Sequence, residues 1–205
     1  MIRLAMFPLS TVLYPHAQIP LHIFEPRYRA MVEECLAGDA RFGVVLIARG
    51  SEVGGGDQRM MVGTRAVITK AASLPDGRWV LVAQGDARIR VTEWLPDDPY
   101  PVAHIEEWAP EVEAVEAALV AQALHCVRRT RGLLAEHGSA AALSADVVFS
   151  EDCDVASWQL CGEMPLSMMD AQGLLSAAGT RQRLELLIEF TEAIEDDLRR
   201  LMAAD

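Results

Sequence analysis

Apolar and polar positions follow two different rhythms along this chain. As far as Trp108, apolar residues alternate with polar ones or run together in short blocks. Beyond Pro110 they return every three or four positions. The first rhythm predicts β-strands and the second amphipathic helices. Strands are expected at Ile2–Phe7, Gln18–Phe24, Phe42–Ala48, Met60–Ala72, Arg78–Trp94 and Tyr100–Trp108. The unbroken apolar run Phe42–Ala48 reads as a strand buried on both faces. Leu74-Pro75-Asp76-Gly77 joins the two longest strands. Pro presets φ for a turn and Gly accepts a positive φ, so a β-hairpin is expected there. Gly85 is expected to bend or bulge the second of these strands. Arg49 to Gln58, with Gly50, Gly54, Gly55 and Gly56, reads as a loop.

One stretch organises the first half. In Gln18-Ile19-Pro20-Leu21-His22-Ile23-Phe24-Glu25-Pro26-Arg27-Tyr28 a half-buried strand runs into a helix start. Pro26 suits the first helical position, where no amide is needed. Glu25 meets the positive end of the helix dipole. Tyr28, Met31, Val32, Cys35 and Leu36 then mark one helical face. A helix over 26–37 is expected, with Gly38 supplying a positive-φ stop.

In the second half, Glu111, Glu113 and Glu116 crowd an expected helix start. The apolar stripe that follows is Val115, Ala118, Leu119, Gln122, Cys126, Thr130, Leu133 and Leu134. Residues 138–153 read as a loop, and a short helix is expected from Asp154 to Cys161. Ser167 with Asp170 forms a helix-start box for a helix reaching about Ala178. The last helix, Thr180 to Ala203, carries Leu184, Leu187, Ile188, Thr191, Ile194, Leu198 and Leu201 on one stripe. Its length would be roughly 36 Å.

Several of these blocks carry a resemblance. Phe7-Pro8-Leu9, Val12-Leu13-Tyr14-Pro15 and Pro20 to Tyr28 resemble the opening of the Lon protease N-terminal, substrate-binding domain. Phe42 to Ile47, Val62-Gly63-Thr64-Arg65-Ala66, Gln172-Gly173-Leu174-Leu175 and Arg181 to Leu187 extend the likeness over most of the chain. The resemblance implies an α+β fold. A mostly antiparallel, PUA-like β pseudobarrel with one short helix would be followed by a C-terminal helical bundle. It also implies a stand-alone bacterial member lacking the ATPase and protease domains. The expected division is 1–109 for the β subdomain and 110–205 for the helical one.

Charge sharpens this division. Residues 1–105 hold 11 acidic and 11 basic side chains, whereas 106–205 hold 19 acidic and 7 basic, the whole of the −12 net charge. Lys70 is the only lysine. Phosphate neutralisation needs Lys and Arg, so nucleic acid is not an expected partner even though PUA-like folds often bind RNA. The chain has no run of about 18 apolar residues, so no membrane partner is expected. Cys35, Cys126, Cys153 and Cys161 show no framework spacing, and a cytoplasmic location with reduced thiols is expected.

Candidate chemistry is sparse. Gly-x-x-x-x-Gly-Lys-Ser/Thr is absent, and Lys70 lies in an expected strand, which rules out a serine–lysine dyad. His125 and Cys126 are adjacent on a helix and diverge. Cys35 and Cys126 lie on apolar stripes, as packed thiols do, while Cys153 precedes a helix. His16, His22 and His137 complete no metal-ligand spacing. No cofactor and no metal are expected. His22 is expected to be a partly buried, hydrogen-bonded residue at the strand–helix corner. Glu25 with Arg27 or Arg29 would form a ligand clamp, or more simply a dipole partner with surface pairs such as Arg29–Glu33. Arg128, Arg129 and Arg131 read as a solvated face pairing with glutamates, or as a hold for an acidic partner.

The expected function is therefore a non-enzymatic binding module for unfolded or partly folded polypeptide, as the resemblance implies. Its family-motif residues are Pro20, Leu21, His22, Phe24, Glu25, Pro26, Arg27 and Tyr28. Nine methionines suit an adaptable apolar surface. Met60, Met61, Trp94 and Trp108, with Phe149, are candidates for it. The groove is expected between the two subdomains. An adaptor that contacts a specific folded protein is the alternative, and a Cys/His small-molecule hydrolase a more remote one.

Overall fold

The computed structural model describes residues 2–49, 58–109, 111, 114–144 and 146–202. The expected loop at Gly50 to Gly56 lies outside them. Two compact units emerge, Met1–Ala109 and Pro110–Asp205.

The first unit holds β1 (Ile2–Leu9), β2 (Gln18–Ile23), α1 (Pro26–Ala37), β3 (Arg41–Arg49), β4 (Gln58–Ser73), β5 (Trp79–Trp94) and β6 (Val102–Glu107). The sheet order is β2-β5-β4-β3-β1-β6, with β6 also pairing β5. That second pairing closes five strands into a ring. β2 stands outside it, beside the first half of β5, so the barrel is not a clean one. All pairings are antiparallel except β1 with β3, where Met6 faces Gly43 and Leu9 faces Leu46. The alternation read from sequence has its cause here. Met6, Val45, Ile89, Ala103 and Ile105 form one buried cluster, while Phe7, Val44, Leu81 and Ala83 join α1 in another.

The β4–β5 turn forms as its residues dictate. Gly77, at φ 80°, donates its N–H to the Leu74 carbonyl at 2.8 Å, and Leu74 N–H bonds the Arg78 carbonyl at 2.8 Å. Near Gly85 the β4–β5 register shifts, because Arg65 faces Ala87 and Ala66 faces Gly85, leaving Asp86 as an extra residue.

Helix α1 starts at Pro26 and buries Tyr28, Met31, Val32 and Cys35, but its end differs from expectation. Gly38 sits at φ −105°; the left-handed residue is Ala40, at φ 59°. The N–H groups of Gly38 and Ala40 both donate to the Cys35 carbonyl, at 3.1 and 2.8 Å. The chain thus leaves the helix two residues later, in the turn that feeds β3.

The second unit contains α2 (Ala117–Glu136), α3 (Cys153–Gly162), α4 (Met168–Leu175) and α5 (Thr180–Met202). Glu116 precedes α2 as its N-cap, so no acidic residue occupies the first turn. Glu111 instead donates its backbone N–H to the Ala178 carbonyl at 3.3 Å. The buried stripe of α2 is Ala123, Cys126, Val127, Thr130 and Leu134, with Ala118 and Gln122 exposed. The Ser167 hydroxyl caps α4 by accepting from Asp170 N–H at 3.1 Å. That helix stops at Leu175, where Ser176 N–H returns to the Gln172 carbonyl at 2.9 Å.

Two charged residues of α5 are fully buried. The Arg183 guanidinium lies 3.4 Å over the Trp158 ring, donates to Ser157 Oγ at 2.8 Å and pairs with Asp154. Glu195 accepts from Arg129 Nε at 2.7 Å, from the Thr130 hydroxyl at 2.8 Å and from Arg199 at 3.1 Å.

Asp154 links this network to acid stability. Burial raises its pKa, but the Thr180 hydroxyl and the Arg183 cation outweigh burial and hold it below the usual carboxylate range. A depressed folded-state pKa gives stability that is complete above the unfolded aspartate value of about 4. That stability is lost as pH falls through the folded value. Urea midpoints of the wild type should therefore drop on acidification to about pH 3. Asp154→Asn should lower the midpoint at pH 7 and flatten its fall with acid. An Asn variant with an unchanged acid slope would show that the pair carries no linkage.

Candidate functional site

The strand–helix corner is the candidate site, and local sequence explains its shape. Ile19, Leu21 and Ile23 alternate along β2 and pack on the core cluster. Gln18, Pro20 and His22, between them, are exposed. Pro26 then turns the chain into α1 within three residues of Ile23. Tyr28, one turn on, is buried with its ring 4.4 Å from that of Phe7, and Arg27 lies 4.4 Å over the Tyr28 ring. Arg27 Nε also donates to Glu25 Oε2 at 3.1 Å. The Glu25 carboxylate is thus held by Arg27 rather than capping the helix, whose first amides receive no side-chain cap.

Together these residues frame a cleft of about 200 Å³, lined by Phe7, Leu9, Pro20, Leu21, His22, Ile23, Phe24, Glu25 and Tyr28. Its walls come from β1, β2 and α1 and are mostly apolar, with His22 and the Arg27-paired Glu25 as the polar lining. A drug-sized ligand needs about 300–1,000 Å³. This space suits one large apolar side chain instead. Phe24, one of its lining residues, has 52% of its surface exposed. The His22 and Phe24 rings are 6.5 Å apart. His22 is therefore not the partly buried residue expected: on β2 it takes the exposed side of the alternation.

The other sequence candidates fall elsewhere. Arg29 lies against the Gly77 turn, with no ion pair to Glu33 among the described residues. Met60 is half-buried and Met61 exposed. Trp94 is half-buried under the Arg59 guanidinium at 4.8 Å. Trp108 is half-buried under Arg88 and Arg90, each at 4.3 Å. Of these four only Met61 is a large exposed apolar side chain. Cation–π stacking covers the two tryptophans, an arrangement that strand periodicity does not encode. Phe149 lines a separate apolar hollow of the second unit with Val147, Val148, Leu124 and Leu160. Arg128, Arg129 and Arg131 diverge to the Val147 carbonyl, Glu195 and the Glu163 carbonyl.

A wider cleft of about 530 Å³ lies between β1, the end of α1, and Tyr100. Its charged lining is largely engaged within the unit. Arg41 pairs with Asp39, Arg65 with Asp86 and Glu107, and the Tyr100 hydroxyl with Glu34.

The three buried thiols are poised against nucleophilic chemistry. Burial, Glu34 and Asp39 push Cys35 up to about 11, and burial pushes Cys161 up to about 12. Cys126 is also raised, chiefly by burial. A reactive thiolate needs the opposite shift. Among the described residues, no three His, Cys, Asp or Glu side chains gather to hold a metal ion. No described helix is long and apolar enough to cross a membrane.

Two contributors escaped sequence reasoning. Phe7 and Leu9 reach the cleft from a strand that β2 does not pair with, so only the tertiary fold brings them together. Their own signal was the alternation in Phe7-Pro8-Leu9.

Known proteins extend the comparison. A family model described as the ATP-dependent protease La (LON) substrate-binding domain matches residues 3–193. "Lon protease 2" of Herpetosiphon aurantiacus is 30% identical over 206 residues, covering 98% of this chain and 23% of that protein. "Lon protease" of Brucella suis is 26% identical over 200 residues, covering 92% of this chain and 24% of that protein. The chain thus spans about a quarter of the length of these relatives. A Lon N-terminal domain protein from Xanthomonas campestris superposes with a TM-score of 0.70 at 27% identity, covering 92% of this chain and 98% of that one. The N-terminal domain of the Mycobacterium avium complex Lon protease, at 16% identity and a TM-score of 0.63, shares the fold. The barrel, the strand–helix corner and a match over residues 3–193 lead to one conclusion: this chain belongs to the Lon substrate-binding domain family.

Proposed function

We propose that the chain is a polypeptide-binding module that holds unfolded or partly folded chains without chemistry of its own. The observation that carries the reading is the cleft at the β2–α1 corner. It is mostly apolar, about the size of one side chain, and lined in part by a half-exposed Phe24. Unfolded segments differ from folded surfaces in offering large apolar side chains one at a time. A pocket of this volume, mostly apolar and with its one carboxylate already held by Arg27, suits that feature. The name of the family's domain supports the same class of ligand.

The test compares one model protein in two states, native and permanently unfolded by reduction and alkylation. Titration calorimetry should detect binding of the unfolded form alone. Phe24→Ala should weaken it about fivefold, because about 1 kcal/mol of additional apolar burial is lost. Its own stability should change by less than about 0.5 kcal/mol, since Phe24 is a surface residue. Equal, undetectable binding of both states would remove the reading. If binding is undetectable and one folded protein co-purifies stoichiometrically, the chain is an adaptor.

A further inference from the structure

Strand β2 pairs with β5 on one side only, and no described strand lies along its other edge. The direction of its backbone groups follows from the hydrogen bonds just before it. His16 N–H donates to the Gly85 carbonyl at 2.9 Å, and Gly85 N–H donates to the Ala17 carbonyl at 3.0 Å. With His16 at φ 66°, this is a bulge in which Ala17 and Gly85 form a hydrogen-bonded pair. The register then continues as Gln18–Gln84, Ile19–Ala83, Pro20–Val82, Leu21–Leu81, His22–Val80 and Ile23–Trp79. Hydrogen-bonded and non-bonded pairs alternate in an antiparallel ladder. Ile19, Leu21 and Ile23 therefore bond β5, and Gln18, Pro20 and His22 aim their backbone groups outward. Pro20 has no N–H, and it falls at an outward position, where β5 loses nothing by that.

The outward edge thus offers two donors, at Gln18 and His22, and three acceptors, at Gln18, Pro20 and His22. Of the usual means of blunting an edge, β2 carries a proline, Pro20, and the bulge at His16, but no charge. The edge also borders the side-chain cleft, which Phe7 and Leu9 of β1 line together with Pro20 to Ile23.

We propose that an extended polypeptide segment docks by adding itself to β2 as an antiparallel strand, with every second side chain turned to the cleft. This rests on the polypeptide-binding reading and gives it a geometry. The donor and acceptor pattern of the edge matches an extended backbone and nothing more compact. Directly opposed residues share a face of the sheet. Segment residues opposite Ile19, Leu21 and Ile23 lie on the cleft side and should be apolar. Those opposite Gln18, Pro20 and His22 face solvent and should be polar, and it is their N–H groups that donate to β2. The uncharged edge favours segments without a charge at the apolar positions. Pro20 removes one bond from the ladder, which keeps the docking short and reversible.

The experiment uses the full chain and a synthetic peptide of alternating leucine and serine, read by fluorescence anisotropy. N-methylation of the serine amides removes the donors to β2 and should weaken binding at least tenfold. N-methylation of the leucine amides should change it less than twofold. Pro20→Ala restores an outward N–H and should tighten the unmodified peptide about two- to tenfold, the worth of one hydrogen bond. Equal tolerance of both methylated peptides would overturn strand addition while leaving polypeptide binding intact. Weakening only by the leucine-position methyls would overturn the antiparallel direction. A concentration-dependent dimer that excludes the peptide would assign the edge to a second copy instead and overturn the proposal. Failure of the unmodified peptide, together with every unfolded protein, would remove the underlying reading as well.

Discussion

Arg183→Ala should destabilise the helical unit by about 2–4 kcal/mol, chiefly through the loss of a fully buried side chain and its packing, since its partner Asp154 keeps 35% of its side-chain surface in water. The side chain is completely buried on α5, so water cannot replace what it loses. Truncation leaves Asp154 with only the Thr180 hydroxyl, at 2.6 Å, as a side-chain donor beyond the ring nitrogen of Trp158. It also empties the space over Trp158, where the guanidinium sits 3.4 Å from the ring centroid. Urea unfolding followed by helical circular dichroism should show a lower midpoint with little change in slope. Trp158 fluorescence should shift with it. Arg183→Lys should lose less, because charge is kept while the planar fork over the ring is lost. Removing both charges, by Arg183→Met with Asp154→Asn, should cost less than the sum of the single changes. A loss under about 1 kcal/mol for Arg183→Ala would show that the network is peripheral to stability.

Gly63→Val should destabilise the β unit by about 3 kcal/mol, the upper end for overpacking. Gly63 lies on β4 opposite Val45 of β3 and Ile89 of β5. A Cβ at this position would fall 2.2 Å from the Val44 carbonyl oxygen and 2.7 Å from Val45 Cγ1. The nearer atom is backbone held in the β3–β4 ladder, so no rotamer change relieves the clash. The strands must separate, and β3 is the strand that carries the buried run Phe42–Leu46. Gly63→Ala meets the same oxygen with less bulk and should lose about 1–2 kcal/mol. The check is the urea midpoint read by the tryptophans of this unit, Trp79, Trp94 and Trp108. A neutral Gly63→Val would mean that the ladder yields at this point.

Much of the candidate site was legible because its causes are local. Pro26 begins α1 since its ring and missing amide suit a first turn, whatever surrounds it. The Tyr28-Met31-Val32-Cys35 face follows from spacing alone. The block from Pro20 to Tyr28 could be read as a unit, and the cleft is lined by Pro20 to Glu25 with Tyr28. His22 was misread because residue type was weighed above register. On a strand whose odd residues face the core, an even residue is exposed. Arg183 and Glu195 were missed for a related reason. A charge on an amphipathic helix looks like its solvent face until a neighbouring helix brings a partner of opposite sign.

Local sequence was enough for the pieces: the strand and helix rhythms, the Pro75-Asp76-Gly77 hairpin and the Ser167 cap of α4. Each has a cause lying within a few residues, in φ preferences, in a side chain reaching a nearby amide, or in side-chain period. It took the folded chain to set β1 parallel to β3, to close the ring with β6 on β5, and to leave β2 with no described strand on its outer edge. The tertiary structure also decided that arginines cover Trp94 and Trp108 and that Phe7 and Leu9 line one cleft with Phe24. These outcomes depend on which of several similar apolar surfaces meet. That choice minimises exposed area and unpaired backbone over the whole unit, and no local stretch of sequence contains it.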